Sequence, residues 1–198
     1  GLHLLITSRE RLRLRGERIF ELGGLALPAD AVAPEKADAV QFFLERAQQA
    51  AGDFRLDATN QPAVVRICQL LDGMPLGIEL AAAWVRVLSV AEIADEIEKN
   101  MDFLALADRD AMPRHRSMRA VLRQSWDYLA PDEQAVFRRL SVFAGGFRLE
   151  AAQAVAAEGS MPLLGVLAAL VEKAMLQLLP GGRYRIHALL RGLGAEHL

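Results

Sequence analysis

Pro162-Leu163-Leu164-Gly165-Val166-Leu167-Ala168-Ala169-Leu170-Val171-Glu172-Lys173 is the stretch whose reading decides how the second half of this chain folds. It is apolar almost all round, and only its last two residues carry charge. A helix of that kind belongs inside a protein. Directly after it, Met175 to Leu179 and Arg183 to Ile186 flank Pro180-Gly181-Gly182, which predicts a β-hairpin. A final helix is expected from near His187. Upstream, Ser117 opens a helix through Val121, Leu122, Ser125, Trp126 and Leu129. Ala130-Pro131-Asp132-Glu133 breaks and restarts it, giving a helix over 132–143. Gly145-Gly146 is a turn, and 148–157 is a short helix. Three helices, a hairpin and a closing helix are the order of a winged helix.

In a winged helix that reads DNA, the helix before the hairpin would enter the major groove. Base readout needs Arg, Asn or Gln on an exposed face, and docking on the backbone needs several basic groups. The 162–173 helix has neither, so it is expected to pack inside, with no direct DNA binding by this segment.

Nearer the start, Ala39, Val40, Phe43, Leu44 and Ala47 recur at helical spacing and predict an amphipathic helix near 35–51, ended by Gly52. Asn60-Gln61-Pro62 starts the next helix, with Asn60 as N-cap and Pro62 in the first turn. Asp72-Gly73-Met74-Pro75 is a tight break before an apolar helix over 76–88. Ser89 and Glu92 form a capping box for a fourth helix. Residues 100–113 are a connector of mixed charge.

Leu2 to Ile6, apolar but for His3, is a run of strand length, as in a buried parallel strand, and Arg18 to Leu22 is a second strand candidate before Gly23-Gly24. Two strands do not make a stable parallel sheet. Residues 1–27 are therefore expected to be the tail of a larger α/β domain, ahead of a helical domain at 28–108 and a winged helix at 109–198. The fold class expected is mostly α: an α/β sheet remnant, four helices and a winged helix.

The 198 residues are 53 % hydrophobic, which excludes a disordered chain, and the formal net charge of −2 lacks the excess that drives non-specific nucleic-acid binding. Cys68 is the single cysteine, so no internal disulfide forms; its apolar helical setting marks a structural thiol rather than a nucleophile. No run approaches the roughly 20 apolar residues of a membrane span, and no signal peptide opens the chain, so the protein is expected to be cytoplasmic. The four histidines are scattered without carboxylate or thiol partners at ligand spacing, so no metal site is expected. Arg114, Arg116, Arg119 and Arg123 read as a solvated basic face.

Three short motifs now fall in order. Leu4-Leu5-Ile6-Thr7-Ser8-Arg9 resembles the strand-ending sensor of NB-ARC and related STAND signal-transduction ATPases. Gly73-Met74-Pro75-Leu76 resembles their Gly-Leu-Pro-Leu motif, and Ile186-His187-Ala188 sits where they carry Met-His-Asp. The stretch from Arg114-His115-Arg116-Ser117 through Ser125-Trp126 to Leu140-Ser141-Val142-Phe143-Ala144-Gly145-Gly146-Phe147 is similar to the ATPases of bacterial LuxR-type and antibiotic-regulatory-type transcriptional regulators.

The resemblance covers almost the whole chain. It implies a nucleotide switch in which Arg9 reports the γ-phosphate, Gly73 and Pro75 meet the adenine, and His187 meets the β-phosphate of ADP. Two features depart from it. No Gly-x-x-x-x-Gly-Lys-Ser/Thr loop is present to cradle phosphates, nor a strand ending in paired carboxylates for Mg²⁺, and Ala188 replaces the usual acid. ADP or ATP with Mg²⁺ therefore belongs to an intact parent that supplies a P-loop core and further C-terminal domains. The fragment itself is expected to bind no nucleotide, to be no enzyme alone, and to be open to self-association. Two other readings stay open: a helical protein-interaction module that never sees nucleotide, and a DNA-binding winged-helix regulator.

Overall fold

The computed structural model describes residues 4–8, 11–20, 22–28, 33–99, 104, 118–156 and 162–198. Among them the chain is mostly helical, as expected. Its helices are α1 (Asp38–Ala50), α2 (Gln61–Leu70), α3 (Pro75–Ala82), α4 (Val90–Lys99), α5 (Met118–Asp127), α6 (Pro131–Leu140), α7 (Leu149–Ala156), α8 (Leu163–Glu172) and α9 (Ala188–Glu196). One antiparallel pair, β1 (Gln177–Leu179) with β2 (Arg183–Arg185), precedes α9. Two compact units share the chain: Gly23–Gln124, and Gly1–Leu22 together with Ser125–Leu198.

In the unit 23–124, α1 buries Ala39, Val40, Phe43 and Ala47, one stripe at three- and four-residue spacing, and packs on α3. Burial on α2 falls to Val64, Ile67 and Cys68, and on α4 to Val90, Ile93, Ala94 and Ile97; these two helices pack together. Across that seam Arg66 bonds Asp95 at 2.7 Å and also Glu98. The capping box that opens α4 forms as expected: Glu92 accepts from the Ser89 N–H at 2.9 Å and from its hydroxyl at 2.7 Å. These bonds, the hydroxyl's first, hold the Glu92 carboxyl below its usual range.

Two local expectations change here. Asn60 stands at the N-cap of α2 but makes no side-chain cap bond. Its amide instead closes a loop with the Asp57 N–H and the Arg55 carbonyl, and Asp57 takes the N–H groups of Thr59 and Asn60. The helix expected over 76–88 leaves α geometry at Ala82 and tightens into a 3₁₀ turn over Ala83–Arg86.

In the second unit α6 packs against α7, α8 and α9. The 162–173 helix packs inside along one face only, where Leu163, Val166, Leu167 and Leu170 are buried on α8; Leu164 on the other face is 62 % exposed. Its two charges are both engaged within the protein. Lys173 reaches Glu133 in the first turn of α6 at 2.7 Å and lies 5.1 Å from the centre of the Tyr128 ring, while Glu172 meets Arg13 at 2.7 Å. Gly194 lets α9 approach α6 closely, since a Cβ there would lie 3.0 Å from the Phe137 ring. Helix α6 ends at Leu140, short of the expected 143, where the Ser141 hydroxyl turns back to the Arg138 carbonyl. The hairpin pairs Gln177 with Arg185 and Leu179 with Arg183, turning through Gly181 and Gly182 at φ +79° and +71°. Phe147 adds a bridge to Tyr184.

The start of the chain differs from the sequence reading. Leu4 to Ser8 and Arg18 to Phe20 are irregular rather than strands. Leu4, Leu5 and Phe20 are 74 %, 99 % and 85 % exposed. The physical reason is that a strand is defined by a ladder partner, and among the described residues none pairs with these runs. The chain between them folds on itself instead. The Glu17 carboxylate accepts from Leu12 and Leu14 N–H, and Gly16 turns the backbone at φ +83°.

Candidate functional site

Of the four residues that the sequence singles out, Arg9 lies outside the described residues, as do Arg114, His115 and Arg116 of the basic stretch. Gly73 and Pro75 share one turn in the unit 23–124; His187 belongs to the other unit.

The turn is a helix stop followed at once by a helix start. At the end of α2 the Gly73 N–H reaches back to the Cys68 carbonyl at 3.0 Å and the Asp72 N–H to Gln69 at 3.0 Å. That pair of bonds satisfies the last carbonyls of a helix in the Schellman manner. It puts Asp72 and Gly73 at φ +48° and +69°, the left-handed region that glycine tolerates best. Pro75 then begins α3 at a position where its missing N–H costs nothing. The result is a rigid turn with Gly73 buried and the Pro75 ring exposed.

Gly73 has a second constraint that the sequence did not reveal. A Cβ there would lie 2.2 Å from the Leu25 carbonyl oxygen, so the open side of this glycine is filled by the protein's own backbone. Asp72-Gly73-Met74-Pro75 is thus the helix break expected, with Pro75 the member whose side chain faces outward.

His187 is the N-cap of α9, and its Nδ1 accepts the Leu189 N–H at 3.2 Å. An imidazole that accepts through Nδ1 while neutral carries its proton on Nε2, which makes Nε2 a donor. Ala188 opens the helix itself. Arg119 is half-buried and Arg123 exposed on α5.

Cys68 is fully buried, and desolvation pushes its thiol up to about 12, so it is an inert core group as expected. Among the described residues no group of three or more His, Cys, Asp or Glu could hold a metal ion, and no helix is long and apolar enough to cross a membrane.

No protein-family model matches the chain. Over 177 residues, 88 % of its length, it is 37 % identical to a "Putative HTH-type transcriptional regulator" of Mycobacterium tuberculosis, of which it covers 19 %. The same identity over 177 residues relates it to an uncharacterized protein of that organism, of which it covers 43 %. Regulatory protein AfsR of Streptomyces coelicolor is 29 % identical over 202 residues, with 96 % of this chain and 18 % of AfsR covered. The chain is a relative of bacterial transcriptional regulators. It spans less than half the length of these relatives. A regulatory role agrees with their names.

Proposed function

We propose that this chain is the switch segment of a nucleotide-controlled transcriptional regulator, supplying contacts to the base and to a phosphate but not the phosphate-binding loop. The observation that carries the reading is the exposed Pro75 ring on a turn whose backbone is already committed to other bonds. A flat apolar ring held this rigidly suits an adenine face, because little further ordering is needed on binding. Gly73 serves by shaping that turn. His187, whose Nε2 is buried in this structure, and Arg9 are assigned to the β- and γ-phosphates by resemblance alone. Bound Mg²⁺ and the phosphate loop belong to parts of the regulator outside this chain, along with its output domains. In this reading ADP and ATP bias two states of the regulator. The chain by itself turns over no ATP, does not touch DNA through α8, and works in the cytoplasm.

The test is an ADP titration by calorimetry with Mg²⁺, on the whole regulator and on this chain. His187→Ala and Pro75→Ala are each expected to weaken ADP about tenfold in the whole regulator, roughly 1.4 kcal/mol. Unchanged affinity in both variants would overturn the assignment. Binding to the isolated chain with Kd below roughly 100 μM would show a usable pocket without the phosphate loop.

A second reading, a protein-interaction module without nucleotide, draws on the exposed Leu4, Leu5, Phe20 and Leu22. Self-association that ADP leaves unchanged would favour it.

A further inference from the structure

Residues 23–26 lie as a strap against the turn that carries Pro75. The Leu25 N–H donates to the Gly73 carbonyl at 2.8 Å, and one residue on, the Ala26 carbonyl accepts the Ala39 N–H at 3.1 Å. The strap is thereby tied at one end to the α2–α3 turn and at the other to the first turn of α1, which has no side-chain cap of its own. Two glycines make the approach feasible from both sides. A Cβ on Gly24 would stand 2.6 Å from the Asp72 carbonyl oxygen, and one on Gly73 would stand 2.2 Å from that of Leu25. Both obstacles are backbone atoms, which no rotamer change can move aside. Gly23, by contrast, has nothing within 4 Å of where its Cβ would be.

We infer that Gly24 and Leu25 are positioning residues for the Pro75 turn, so that displacement of the strap moves Asp72 to Pro75. The turn has no slack of its own: Gly73 and Asp72 bond back into α2, Met74 bonds Leu71 at 2.9 Å, and Pro75 is already in α3. The strap engages the turn through the Gly73 carbonyl. Leu22, 83 % exposed, leads directly into the strap at Gly23. What occupies the Pro75 face rests on the nucleotide reading above; the mechanical link does not.

The experiment is amide hydrogen exchange and chemical-shift mapping by NMR on the 198-residue chain. It compares Gly24→Ala, Leu25→Pro and the control Gly23→Ala. Leu25→Pro removes the donor and sets its ring Cδ against the Gly73 carbonyl, a different obstacle from the Cβ of Gly24→Ala against Asp72. Both strap variants are expected to speed exchange at Met74 about tenfold or more and to shift Met74 and Leu76, while Ile67 in α2 and Ile93 in α4 change less than about twofold. Gly23→Ala is expected to match the parent. The inference is overturned if Met74 and Leu76 stay unmoved in both variants, or if amides in α2, α4 and the turn all accelerate by one common factor, which marks general destabilisation. A parallel ADP titration of the whole regulator separates the two proposals. A strap effect on Met74 with no ADP binding in the parent sinks the nucleotide reading and leaves the strap intact. ADP binding that Gly24→Ala and Leu25→Pro leave unchanged while Met74 shifts sinks the assignment of Pro75 to the base and leaves the strap intact.

Discussion

Leu167 in α8 and Leu5 near the start of the chain are the same residue in opposite surroundings, 0 % and 99 % exposed. Each sits in an uninterrupted apolar run. The α8 run succeeds because a helix satisfies its own backbone and needs neighbours only for its side chains, which α6 supplies. The run at Leu4–Ile6 cannot do the same, because a strand needs another strand even for its backbone. An apolar run therefore demands a cover, and the secondary structure it forms depends on whether that cover must also supply hydrogen bonds.

The sharpest way to break this comparison is to truncate both leucines. Leu167→Ala is expected to cost about 2–5 kcal/mol in urea unfolding, whereas Leu5→Ala stays within about 0.5 kcal/mol of the parent. A loss above about 1 kcal/mol at Leu5 would mean that its run is covered in solution. The charges of the two regions extend the test at lower amplitude. Lys173→Met leaves Glu133, whose side chain is 9 % exposed, with the Ala130 N–H but without its cation, and is expected to cost about 2 kcal/mol. Arg13→Met, removing an ion pair whose side chains are 76 % and 42 % exposed, should cost less than about 0.5 kcal/mol.

Between these two charge effects in size lies the cap of α4, where Ser89→Ala should cost about 1 kcal/mol near neutral pH. Because the Glu92 carboxyl is held below its ordinary value, its contribution is present above that value. It is lost as pH falls through the lowered one. The difference between parent and Ser89→Ala should therefore shrink on the acid side; a constant gap down to acid unfolding would show that the Glu92 bonds do not form.

The same contrast explains what was legible in the residues. Helix α8, the hairpin and the capping box at Ser89 could be read because each is settled by residues within a dozen positions. The turn at Asp72–Pro75 could be read as a break for the same reason. Its partner could not, since Gly23-Gly24 says that backbone freedom is needed and not which carbonyl comes near. His187 was placed correctly at a helix start, yet that its own imidazole would close the cap is a matter of rotamer. Asn60 has the right residue type for an N-cap, but the competing loop to Arg55 and Asp57 takes its amide. Leu4–Ile6 forms no strand in this chain because a strand's partner is a property of another stretch of sequence.

The two units are nested in the sequence: one is continuous from Gly23 to Gln124, while the other takes Gly1–Leu22 and Ser125–Leu198 from either side of it. During synthesis the inner unit therefore leaves the ribosome whole before the outer one has all its parts, and it can finish folding first. The outer unit closes last, when α8 brings Glu172 to the waiting Arg13.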